Sequence, residues 1–456
     1  MKTLSTHFHL FYCFMLPTIC FGQESTTADE QTIIAWVQNN AVPLRHVEAG
    51  NGFEDLLPLK DILKDVRVVG LGESTHGTSE FFKIKHRLLE FLVKEMNYTG
   101  FALEAPYFAC QPINEYILSG KGDLYTALTG QGYVVWDTEE MVEMIKWMRD
   151  YNQNVSADKQ VKFYGVDLGY QEIGRKEVLN YLQKVAPEMK DRTDSIFKIL
   201  AEEELKWPTL KDSIYEKRML QVYPVLQNLL DDLTFNKNTL VKKSSSSEFE
   251  KVLQNLKVIR QYILANTSAL YPPFVDGTVI RSLSMAENLI YIMDQAGSES
   301  KIVVWEHNVH IAKYLRETIY LGSQLRKKFG ESYYAISLEL NDGSYQSRTI
   351  LPDKRLGDLK EIIIKPASES SWPRYLSNSN IGNMFLDFRG TSIPSNVRDW
   401  INSPQIIFSA GWVDSEGAYP ELELGKSYDG MIFIQTTSPT RPTANALKTV
   451  AERKGL

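Results

Sequence analysis

Four short apolar runs along the chain each end in an acid or a histidine. Val66, Val68, Val69 and Leu71 make the first, broken by Gly70 and closed by Gly72, with Glu73 and His76 in the turn behind it. The second is FALEAP (101–106), bounded by Gly100 and ending in Glu104 and Pro106. VKFYGVDLG (161–169) is the third and ends in Asp167, and KIVVWEHNVHI (301–311) ends in Glu306, His307 and His310. Short runs with no polar alternation are the mark of parallel strands covered on both faces. Between the first two lies SEFFKIKHRLLEFLVKEM, which has helical spacing and is expected to end near Asn97. Thr78 and Ser79 suit its N-cap, and Glu80 suits the positive end of its dipole. WDTEEMVEMIKWMRDYN (136–152) is a second helix, YYAISLEL (333–340) another strand, and NMFLDF, QIIFSA and GMIFIQ are short apolar runs near the C-terminus. The pattern predicts an α/β fold: a mainly parallel central sheet with flanking helices.

The character changes between 171 and 299. Long segments of Leu, Ile, Lys and Glu with helical spacing follow one another, broken near Pro208 and at KKSSSSE (242–248). This reads as a helical insertion, a lid over the carboxyl edge of the sheet, leaving 23–170 and 300–456 as the core. At the N-terminus, Lys2, the apolar run HLFYCFMLPTICF and Gly22 describe a signal peptide over 1–22, with the mature chain starting near Gln23. Export to a periplasmic or extracellular place is expected. The run is too short for stable membrane insertion.

Composition narrows the function classes. The chain has 456 residues and a formal net charge of -7, without a block of five basic residues, so no nucleic-acid partner is expected. Of Cys13, Cys20 and Cys110 only the last survives removal of the leader, so no intrachain disulfide is expected and Cys110 reads as buried and inert.

Parallel strands bring their carboxyl ends to one edge, where ligands of open α/β sheets bind. Glu73, His76, Glu104, Asp167, Glu306, His307 and His310 all fall there. Two chemistries fit. A histidine can act as general base on water, with carboxylates fixing its tautomer. Alternatively, histidines and carboxylates can hold a divalent metal that activates water. The spacing His307-x-x-His310 is not that of the zinc pair in HExxH. GLGEST lacks the lysine of a phosphate loop, and no GxSxG is present. A ligand-binding protein without catalysis is the third possibility.

GLGESTHGTSEFFKIKHRLL, GFALEAP, FYGVDLG and VVWEHNVHI, supported by IRSLSMAENLIYIM (280–293), LRKKFGESYYAISLEL (325–340) and DGMIFIQTTSPTRP (429–442), resemble the erythromycin esterase family from about residue 30 to 442. The resemblance implies an α/β core with a helical lid, and hydrolysis of the ester of a macrolide lactone without cofactor or metal. It implies His76 as general base, with Glu73, Glu104 and His307 at the other catalytic positions. Lys85, Asp167, His310 and Arg281 would meet a small-molecule ester. Lys85 stands where the family has an arginine, and Arg281-Ser282 where it often has Arg-Asp. Both departures bear on macrolide specificity, and the resemblance leaves oligomeric state open.

Overall fold

A computed structural model describes residues 28–454, apart from 205–212, 272–274, 317, 352–354, 366–370, 391, 412 and 414–420. The proposed leader, 1–22, and the break near Pro208 lie outside the described residues. Nine strands form one sheet. They are β1 (Val42–Pro43), β2 (Val68–Leu71), β3 (Gly100–Pro106), β4 (Lys162–Asp167), β5 (Ile302–Trp305), β6 (Tyr333–Ile350), β7 (Leu356–Ile364), β8 (Met384–Asp387) and β11 (Gly430–Thr437). A separate antiparallel pair joins β9 (Pro404–Ile406) to β10 (Glu421–Glu423). The order across the sheet is β1-β8-β11-β6-β2-β5-β3-β4, with β7 added to β6. From β11 to β4 every neighbouring pair is parallel. Only β8 and β7 run against the others; β1, antiparallel to β8, points the same way as the parallel strands.

Alternation within each strand explains why the runs are apolar throughout. Val69, Leu71, Phe101, Leu103, Val303 and Trp305 face one side, where Phe81, Leu88, Met141 and Met148 cover them. Val68, Ala102, Val166 and Val304 face the other, against Met285, Leu289 and Met293 of the helix Gly277–Ala296. Each such side chain taken from water contributes roughly 1.5–3 kcal/mol. The helix Ser79–Met96 ends as expected, with Asn97 in the left-handed region at φ 60°.

Among the described residues, 172–296 contains helices and no strand. The helices Glu172–Val185, Pro187–Glu204, Ser213–Phe235 and Ser246–Ala265 share an apolar cluster of their own, joined by Phe108 and Leu168 at the edge of the sheet. The last helix of the stretch, Gly277–Ala296, instead packs on the sheet itself. No helix among the described residues is long and apolar enough to cross a membrane.

Two differences from the sequence reading concern strands. QIIFSA supplies only β9, off the main sheet. The run YYAISLEL continues well past Leu340: at Gly343 the strand leaves β11 and pairs with β7 instead. Gly343 adopts φ +117°, and a Cβ there would lie 2.2 Å from the Thr437 carbonyl oxygen, so only glycine permits the change of partner.

The turn after β2 is pinned to this long strand. Gln346 N donates to the Gly77 carbonyl at 2.9 Å, and so does Thr440 N at 2.9 Å. A Cβ on Gly77 would sit 1.8 Å from the Gln346 carbonyl oxygen, which is backbone and cannot swing away. Gly77→Ala is therefore expected to destabilise the fold by roughly 2 kcal/mol or more. Denaturant unfolding measures it; an unchanged midpoint would show the turn to be loosely held.

Candidate active site

The turn carries Glu73 and His76 into the carboxyl edge, and both are buried. His76 Nδ1 lies 2.6 Å from Glu73 Oε1. A carboxylate can only accept, so Nδ1 carries the proton and Nε2 is left with its lone pair. Glu73 is itself fixed. Its Oε2 accepts from Lys85 Nζ at 2.6 Å and from Trp305 Nε1 at 2.8 Å. The His76 ring meets Trp136 and His307 edge-on, with centroids 5.2 Å away in each case.

Glu104, near the end of β3, accepts from the His307 amide at 2.9 Å and from Arg281 Nη2 at 2.8 Å. Asp167, the last residue of β4, holds the same guanidinium through Nε at 2.8 Å and Nη2 at 2.6 Å. It also accepts from Tyr133 OH at 3.0 Å. Arg281, brought in by the helix Gly277–Ala296, thus ties two strand ends together. Burial disfavours the Glu104 charge. His310 and Arg281 against it outweigh burial and hold the carboxyl well below its usual range.

His307 caps the short helix Asn308–Ile311, its Nδ1 accepting from Val309 N at 3.5 Å. Its Nε2 is buried near the Ser74 and Ala410 backbone without closing a hydrogen bond. His310 Nδ1 faces Ser282 Oγ at 3.0 Å, and its Nε2 lies 3.5 Å from Glu104 Oε1 and 3.4 Å from Arg281 Nη1. Burial pushes both rings down to about 4, so both are neutral at physiological pH.

These groups open onto a cavity of about 860 Å³. His76, Glu104, Asp167, Arg281, His307 and His310 line it, together with Trp136 and Tyr133. Glu73 and Lys85 do not. Lys85 was expected to meet the substrate; its side chain instead lies fully buried behind Glu73, 4.1 Å above the Trp305 ring. Burial lowers its pKa to about 8, against the pull of Glu73. The helix Ser79–Met96 turns position 85 toward the sheet, so Lys85 steadies the carboxylate that steadies His76.

Two tryptophans at the site were not singled out from sequence. Trp136 lines the cavity, its Nε1 donating to the Glu104 carbonyl at 2.8 Å, and Trp305 packs edge-on against it. Glu306 is buried with both carboxylate oxygens unpartnered, and burial, with Glu104 nearby, raises its pKa far above the usual range; it holds its proton. Cys110 is buried, as expected, and burial pushes its thiol well above the ordinary range. Among the described residues no group of three or more His, Cys, Asp or Glu side chains is placed to hold a metal ion.

The sequence profile of the family described as Erythromycin esterase matches residues 93–437. The chain belongs to the erythromycin esterase family. An erythromycin esterase type II from Escherichia coli is 23% identical over 431 residues, covering 88% of this chain and 97% of its own. Two solved structures share the fold. One is a protein titled for succinoglycan biosynthesis, with TM-score 0.76 at 24% identity, covering 91% of this chain and 99% of that one. The other is an erythromycin esterase mutant in its open conformation, with TM-score 0.67 at 16% identity, covering 85% and 95%. Family membership makes this erythromycin esterase relative a hydrolase with an α/β fold. His76 and Glu73 lie before the matched residues, and Glu104, Asp167, Arg281, His307 and His310 within them.

Proposed function

We propose that the chain cleaves a small-molecule ester or lactone by attack of a water deprotonated at His76. The Glu73–His76 pair at 2.6 Å, at the wall of a large cavity, carries this reading. Water passes its proton to His76 Nε2 as its oxygen adds to the ester carbonyl. Glu73 stabilises the imidazolium from the Nδ1 side, and Lys85 and Trp305 keep Glu73 from turning away. The carbonyl oxygen becomes an oxyanion, which the Arg281 charge faces across the cavity. Collapse of the tetrahedral intermediate breaks the bond to the alcohol, which leaves with the proton from His76. Glu104 and Asp167 hold Arg281 in place for that role. The macrolide ester named for the relatives is one candidate substrate.

The test is a screen of purified protein against aryl esters, alkyl lactones and macrolides, read by a mass gain of one water. The expected result is turnover of at least one, unchanged after dialysis against a chelator. Loss of turnover with chelator, restored by one added metal, would replace the His76 mechanism with metal-activated water.

A further inference from the structure

Three arginines line the cavity, and they are unevenly paired with its carboxylates. Arg281 bonds both Glu104 and Asp167, and Glu204, on the same wall, is paired with Arg175 at 2.8 Å. Two more guanidinium groups, Arg348 and Arg453, line the same cavity. Arg348 is 3% exposed, and its Nε and Nη2 both donate to the Gly357 carbonyl, at 3.1 and 2.8 Å. Arg453 Nη1 donates to the Gly132 carbonyl at 3.1 Å. Among the described residues, neither arginine forms an ion pair with a carboxylate. Asp358, the acid whose charge Arg348 senses, is held by Lys454 at 2.6 Å.

A guanidinium that is stripped of water and bonded only to a neutral carbonyl is poorly compensated. Both arginines line the same cavity, and burial, then the Arg453 charge, weigh against the Arg348 charge. Arginine nonetheless stays protonated in proteins, and its planar fork matches a carboxylate or phosphate. The pair is also joined to the reacting end of the cavity. The Gly132 carbonyl that takes Arg453 also accepts from Tyr170 OH at 3.3 Å. Tyr170 meets Tyr133 edge-on, and Tyr133 bonds Asp167, the partner of Arg281. Arg453 lies beyond residue 437, where the family match ends.

We propose that Arg348 and Arg453 form an anion-binding subsite of the cavity, and that the substrate is an ester carrying a carboxylate or a phosphate group. This rests on the hydrolase reading of the same cavity and names its substrate class. One end of the substrate is held by the two guanidinium groups while its ester carbonyl lies between His76 and Arg281.

Binding and turnover separate the two readings. Calorimetry of the full chain with succinate and with inorganic phosphate is expected to show binding of at least one, and which one distinguishes carboxylate from phosphate. The Arg348→Gln/Arg453→Gln variant should bind about ten-fold more weakly or less. In kinetics, KM for p-nitrophenyl hydrogen succinate should rise about ten-fold in the variant, while kcat and the cleavage of p-nitrophenyl butyrate stay as in wild type. Thermal melting checks folding, and Arg453→Gln alone, at the less buried position, serves if the double variant unfolds. Absence of binding to wild type, or equal binding to wild type and variant, overturns the subsite whatever the hydrolysis data show. Anion binding that depends on the arginines, with no ester cleaved, leaves the subsite standing and removes the hydrolase reading.

Discussion

His76→Asn is expected to lower ester hydrolysis by a factor of roughly 10² to 10⁴ while leaving the thermal midpoint near that of wild type. The geometry supports both halves. Glu73 keeps Lys85 and Trp305 when the imidazole is removed, so no buried charge is orphaned. Asparagine can still donate one hydrogen bond toward Glu73, but it has no nitrogen able to take a proton from water. A histidine present only to stabilise the core would give the opposite result, a lowered midpoint with turnover per folded molecule retained. Circular dichroism melts beside turnover on any substrate found by the screen decide it. Near-normal turnover in the variant would remove His76 as the base.

Arg281→Met is expected to have the largest effect on stability. It leaves Glu104 and Asp167, both buried, facing each other without their shared cation. Removing one partner of a buried ion pair costs about 3–5 kcal/mol. The sign of the pH dependence follows from Glu104. Its folded carboxyl sits below the usual range, so its contribution in wild type is present above the unfolded pKa of about 4 and lost as pH falls through the lower folded value. In the variant the stranded Glu104 carboxylate, still buried but without Arg281, takes up a proton more readily, and the penalty shrinks on acidification. Unfolding free energies at pH 8 and pH 5 should therefore show a gap between wild type and variant that narrows at pH 5. A gap of equal size at both values would mean that lost packing, not lost charge, sets the cost.

What the sequence made legible follows from burial. Strands β2 to β5 are covered on both faces, so their apolar runs stand out, and their ends point to one edge. The acids and histidines at those ends did assemble in one place, apart from the misplaced contact at Lys85. Strand β7 escaped notice because Lys360, Glu361 and Ile363 are exposed, so LGDLKEIII shows neither clean alternation nor a full apolar run. Lys85 was misplaced for a related reason. Position along a helix says that a side chain lies on a given face, but not that a carboxylate from the preceding turn stands between it and the cavity. Arg348 and Arg453 carry no local signal at all. With Gly132 they line one cavity from three segments far apart in the chain, and only the folded topology brings them to it.

The change of partner at Gly343 divides one strand into two tenures. Before it, β6 is anchored in the middle of the parallel sheet; after it, the same strand belongs to a two-stranded arm with β7 that reaches the cavity wall at Arg348 and Leu356. The side chains proposed to react hang from the anchored elements, and those proposed to select the substrate from the arm and from just beyond the helix Ala444–Glu452. Such an arrangement lets the arm be lengthened, shortened or exchanged as a cassette while the hydrolytic machinery keeps its footing. Enzymes built on this plan can diverge in what they admit without relearning how to cleave it.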